Sequence, residues 1–160
     1  MADSFGASPA DSLSEEHKTL RALTQLLQQE QEQLVEANIE GVAALTEPKA
    51  QAAVRMAELA NQRYQALRAT GFDPQESGMK AWLATPGVSQ TAAKSWQELM
   101  ELAEAAKEIN RINGTLISKQ MVRNQNALNV LQFGSLQGNN VYGPNGQTSQ
   151  SPFGRHIAAG

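Results

Sequence analysis

Leucine recurs every seven residues at Leu13, Leu20, Leu27 and Leu34, with Leu23 and Leu26 widening the stripe. That spacing keeps one seam of a helix turned toward a neighbouring helix, while the remaining Gln- and Glu-rich face is solvated. A helix of this kind must pack on others like it. Aromatics make up only 5% of the chain, and Leu, Ala, Gln and Glu dominate, so no segment reads as a strand. The pattern predicts an all-α protein: an elongated antiparallel helical bundle, or coiled-coil-like hairpin, with a long C-terminal helix and a flexible tail.

Punctuation divides the chain further. Ser12-Leu13-Ser14-Glu15 predicts a capping box that opens the first helix. Pro48 in a helix interior would cost about 3 kcal/mol, so a break or kink is expected near Leu45-Thr46, with Thr46 capping a fresh start. The next helix carries Ala50, Ala53, Ala57, Ala60, Tyr64 and Leu67 along one side, flanked by Val54 and Met56, and Gly71 ends it. The small residues are expected to let a neighbouring helix approach closely. Asp73-Pro74-Gln75-Glu76 reads as a second capping box before a short helix with Met79, Trp82 and Leu83. After the turn Thr85-Pro86-Gly87, Ser89 is expected to cap a helix running from about Gln90 to Phe133, roughly 65 Å long. The expected organisation is a flexible N-terminus at 1–11, a helical bundle domain at 12–134, and a flexible tail at 135–160.

The last helix changes character along its length. Leu99, Leu102, Ala106, Ile109, Asn113, Ile117, Gln120, Asn124, Leu128 and Leu131 share one face at helical spacing. Its first half is conventional, but Asn113, Gln120 and Asn124 occupy positions where leucines are expected. Gly114 weakens the helix by about 1 kcal/mol relative to alanine. All 16 acidic residues precede Ile109, and beyond it the charged residues are Arg111, Lys119, Arg123 and Arg155. Three readings stay open for this seam: a buried polar network that fixes register, a solvated overhang, or a half-polar groove that a partner helix occupies. The tail from Ser135 is Gly, Asn, Gln, Ser and Pro with a few large side chains, which suits a binding arm better than an active site.

Composition narrows the functional classes. A net charge of −3, with basic residues spread along a helix, gives no electrostatic basis for nucleic-acid binding. Without cysteine there are no disulfides, thiolate nucleophiles or cysteine-held metals. No secretory signal or bilayer-spanning run is present, so a cytoplasmic location without membrane insertion is expected. His17 and His156 are the only histidines, and neither lies in the Glu-x-x-His pattern of a bundle metal site. Glu98, Glu101, Glu104 and Glu108 form a ladder that reads as a solvated face. No catalytic residue, metal site or cofactor is expected. A histidine phosphotransfer bundle with an exposed His17-Lys18 is the enzymatic-class alternative, and a structural coiled-coil subunit is the other.

Asn113-Gly114-x-Leu116-Ile117, then Asn124, Leu128 and Leu131, are followed by Tyr142-Gly143-x-x-Gly146. Together they form a C-terminal pattern that resembles that of the FlgN-type flagellar export chaperones. Leu45, Lys49 and Arg63 agree in outline, and the resemblance covers roughly Leu13 to Gly146. Pro48 and the extension after Gln147 depart from it. The resemblance implies a cytoplasmic, non-enzymatic chaperone that binds the two hook-filament junction proteins and delivers them to the flagellar type III export gate. Carried onto this chain, it places client binding at Asn113, Ile117, Gln120, Met121, Asn124, Leu128 and Leu131. It places docking on the gate's cytoplasmic domain at Tyr142 and Gly143. A groove of Ile117, Met121, Leu128 and Leu131 suits an amphipathic client helix. A seam of this length also allows self-association when no client is present.

Overall fold

A computed structural model of the chain describes residues 7–141, with side chains described to residue 136. The described residues form four helices and no strand: α1 (Leu13–Val35), α2 (Ile39–Ala69), α3 (Glu76–Leu83) and α4 (Gln90–Val141). The chain is all-α. It divides into two compact units, Met1–Ile117 and Ser118–Gly160.

In the first unit the heptad leucines do what their spacing dictates. Leu13, Leu20, Leu27 and Leu34 are all buried, each worth about 1.5–3 kcal/mol in apolar burial. Leu13, Leu20 and Leu27 join Leu67 of α2, Met79 of α3, and Trp96, Leu99 and Ala106 of α4 in one core. On α4 the seven-residue spacing of Leu99, Ala106 and Asn113 continues the same logic, since all three are buried. Glu16 of α1 pairs with Arg63 of α2, and Glu30 pairs with Lys49, so α1 and α2 are antiparallel. The His17 ring lies against Ser95, and Asn113 lies against Leu27, so α4 runs parallel to α1. α3 closes the end where α2 stops and α4 begins, with Met79 fully buried.

The connection between α1 and α2 is only Glu36, Ala37 and Asn38. The Asn38 N–H donates to the Gln33 carbonyl and the Ala37 N–H to the Leu34 carbonyl, the paired bonds of a Schellman ending. Ala37 takes φ 55 to do so, a left-handed conformation that costs an alanine about 1–2 kcal/mol. At the matching end of α2, Gly71 takes φ 85 without that penalty. Substituting Ala37→Gly should therefore raise the unfolding free energy by about 0.5–1 kcal/mol, after the entropy a glycine loses on folding. Urea denaturation would read that gain.

Several sequence expectations are corrected. α2 runs through Pro48 without a break, and its cap is Asn38, whose side chain accepts from the Gly41 N–H, not Thr46. Ala44 and Pro48 are exposed, so water can hydrate the carbonyl that the proline leaves without a donor, which makes the residue tolerable. Ala50, Ala53 and Ala57 are exposed, while Leu67 and Tyr64 of the expected side do pack in the core, and Leu59, Arg63 and Ala66 are buried beside them. Neither expected capping box forms. Ser12 spends its hydroxyl on the buried Glu16 carboxylate, and α3 starts at Glu76 after an uncapped Gln75. Ser89 does accept from the Ala92 N–H at 3.2 Å. The expected loose start includes an ordered turn: the Ser8 N–H donates to Asp11 at 2.7 Å, and Pro9 is fully buried. α4 ends at Val141, beyond the expected Phe133, so residues 135–141 are helical.

Candidate functional site

Among the described residues two arrangements stand out. The first is a buried polar set on the α1 seam. Three residues beyond Leu13 and Leu27, where a heptad wants an apolar side chain, stand Glu16 and Glu30, 0% and 3% exposed. Arg63 grips Glu16 with its Nε 3.3 and 3.1 Å from the two carboxylate oxygens and its Nη2 3.2 Å from Oε1. The same guanidinium lies 4.6 Å from the Trp96 ring centroid and 4.9 Å from that of Tyr64, close enough for cation–π attraction. Glu30 accepts from Lys49 on one oxygen and from the Asn113 amide at 2.9 Å on the other. Asn113 also donates to the Leu27 carbonyl at 2.8 Å. Its Oδ1 is buried without a partner, as is Arg63 Nη1.

Asn113 is 1% exposed and belongs to this bundle network. Of the readings open for the seam, the register-fixing network describes Asn113. A guest segment cannot touch a side chain that α1 already covers. Ile117, at the end of the same unit, is 36% exposed.

The second arrangement is the α4 segment of the Ser118–Gly160 unit. Met121, Leu128 and Leu131 are 67%, 53% and 70% exposed, Asn124 is exposed, and Gln120 is half-buried. Met121, Asn124, Leu128 and Leu131 recur at three, seven and ten residues and so share a face. Val122, Val130, Phe133 and Leu136 are also exposed. Val122, Phe133 and Leu136 form a further stripe, about a sixth to a third of a turn from Met121. Sequence reasoning missed this stripe because it followed the single seam inherited from the bundle half. Counting apolar residues on every face would have found it. Amides fill the gaps, and the Gln125 side chain donates to Asn129 at 3.2 Å. Seven large apolar side chains held in water within residues 121–136 form the kind of surface that marks an interaction site. Tyr142 and Gly143 lie outside the described residues.

His17 is not the free imidazole that phosphotransfer would want, since it is half-buried and its Nε2 donates to the Ser95 carbonyl at 3.1 Å. Among the described residues no helix is long and apolar enough to cross a membrane.

A family model described as FlgN protein matches residues 6–150. The flagella synthesis protein FlgN of Yersinia enterocolitica is 28% identical over 148 residues, covering 91% of this chain and 92% of that protein. Its counterpart from Salmonella typhimurium strain LT2 is 40% identical over 62 residues, or 39% of this chain and 43% of that one. No solved structure matches. The match spans nearly the whole bundle and the exposed α4 segment together, and on that extent the chain belongs to the FlgN family.

Proposed function

We propose that this protein is a cytoplasmic, non-enzymatic export chaperone for flagellum assembly. Its clients are the hook-filament junction proteins, and it delivers them to the cytoplasmic domain of the type III export gate. The observation that carries the reading is the set of exposed apolar side chains on α4, from Met121 to Leu136. An amphipathic client helix laid on Met121, Leu128 and Leu131 would bury them, with Gln120 and Asn124 offering amides at the edge. Full burial of each large side chain is worth about 1.5–3 kcal/mol, enough for three anchors to hold a client reversibly. Asn113 acts one step back, by fixing α4 on the bundle. Ile117, 36% exposed, is a further client-contact residue of this reading. Tyr142 and Gly143 are the gate-docking element of this reading, an aromatic followed by a turn-forming run.

The test is co-purification with the junction proteins from a flagellated host. Substituting Leu128→Asp together with Leu131→Asp should abolish client capture, while helicity and the thermal transition of the bundle stay as they were. Substituting Tyr142→Ala should keep client capture and weaken pull-down of the gate domain. Client binding that survives the double aspartate variant would remove the surface assignment.

A further inference from the structure

We propose that a second surface, the groove between the start of α1 and the start of α4, binds an acidic peptide segment of a protein partner. The groove lies wholly within the Met1–Ile117 unit and encloses about 710 Å³. Its α1 wall carries His17, Lys18 and Arg21, the only basic residues of that helix, all within its first nine positions. The parallel α4 begins at the same end and has no acidic residue in its first turn, and the one carboxylate that lines the groove is Glu98.

Three of the nearby carboxylates are already engaged, and Glu15, exposed in the first turn of α1, lines a separate hollow. Glu16 is buried on Arg63, Asp11 accepts from the Ser8 N–H, and Glu98 at the groove edge faces Lys94 at 3.9 Å. Among the described residues Lys18 and Arg21 make no ion pair, and both are exposed. The His17–Ser95 hydrogen bond holds the two walls together and sets the depth of the groove.

Shape selects a peptide over a small anion. From Ser14 to Gln25 the α1 wall extends about 16 Å, and Ala22 and Ala92 supply apolar surface beside the cations. An elongated ligand that presents carboxylates and small apolar side chains together fills such a trough. One inorganic anion would occupy only a fraction of it. Hydroxyls of Ser14, Ser89 and Thr91 add donors along the walls.

The experiment is fluorescence anisotropy on the full chain with a labelled peptide of about four Glu-Glu-Leu-Ala repeats, against the same peptide with Gln for Glu. Binding of the Glu peptide should weaken at least tenfold in the Lys18→Gln, Arg21→Gln variant. It should weaken likewise as salt rises from about 0.05 to about 0.3 M, because exposed charges are screened over that range. The Leu128→Asp, Leu131→Asp variant should bind this peptide as the parent does, which separates the groove from the proposed client surface. Amide shifts should fall within residues 14–25 and 89–98. Equal binding of the Gln peptide, an unchanged affinity in the Lys18→Gln, Arg21→Gln variant, or full displacement by millimolar phosphate would overturn the proposal. So would self-association that the same variant abolishes, which would assign the groove to a second copy.

Discussion

Replacing Glu16 by Ala should destabilise the fold by about 3–5 kcal/mol, the usual penalty for stranding one partner of a buried ion pair. Arg63 is 5% exposed, and all its charge-bearing contacts in the core go to this one carboxylate or to aromatic faces. Without the carboxylate, the guanidinium must stay charged in the core or pull out and leave a hole beside Trp96. Either outcome also frees the Ser12 hydroxyl, which now donates to Glu16 at 3.2 Å. The double variant Glu16→Leu, Arg63→Met should recover most of the loss, because a well-packed apolar pair is often as stable as the ion pair it replaces. Chemical denaturation of both single variants and the double one gives the coupling. A double variant no more stable than Glu16→Ala would mean that packing around the aromatic rings, not charge, dominates the site.

Gly78→Ala is expected to be nearly as damaging, at about 3 kcal/mol. A Cβ at that position would lie 1.7 Å from the Asp73 carbonyl oxygen, a backbone atom that no rotamer can move. The first turn of α3 would have to lift away from the preceding loop. Lifting it uncovers Met79, which is fully buried at the closed end of the bundle. The thermal midpoint should fall with the cooperativity unchanged if α3 is part of the same folding unit. A biphasic melt would show that α3 detaches on its own.

How much of this was legible depends on what the residues had to contact. The heptad on α1 gave its own burial, because an apolar stripe with seven-residue spacing has a single face to offer. Glu16 and Glu30 sit inside that stripe, and the reading passed over them because carboxylates are ordinarily assigned to the solvated face. Their cationic partners lie 47 and 19 residues away in sequence, a separation at which local patterning is silent. Lys49 and Arg63 stood out only through family resemblance, and the structure gives them a physical role. The first three alanines of the α2 stripe, Ala50, Ala53 and Ala57, are exposed for the opposite reason: small residues permit close packing but do not require it. Capping boxes misled because the same serine hydroxyl can serve a backbone amide or a buried carboxylate, and at Ser12 the carboxylate takes it. On α4 the seam was drawn as a single line, and its first amide, Asn113, is buried against α1. Nothing local distinguishes Asn113 from Asn124. Only the presence of Leu27 and Glu30 opposite the former does.

Because α1, α2 and α4 each contribute one member to the meeting of Glu30, Lys49 and Asn113, no helix can slide by a turn and keep its own bonds while the others keep theirs. Axial slippage is thus resisted by three elements at once. A pull applied to either end of α4 would be met as a shared load, not taken up by gradual creep along a greasy seam.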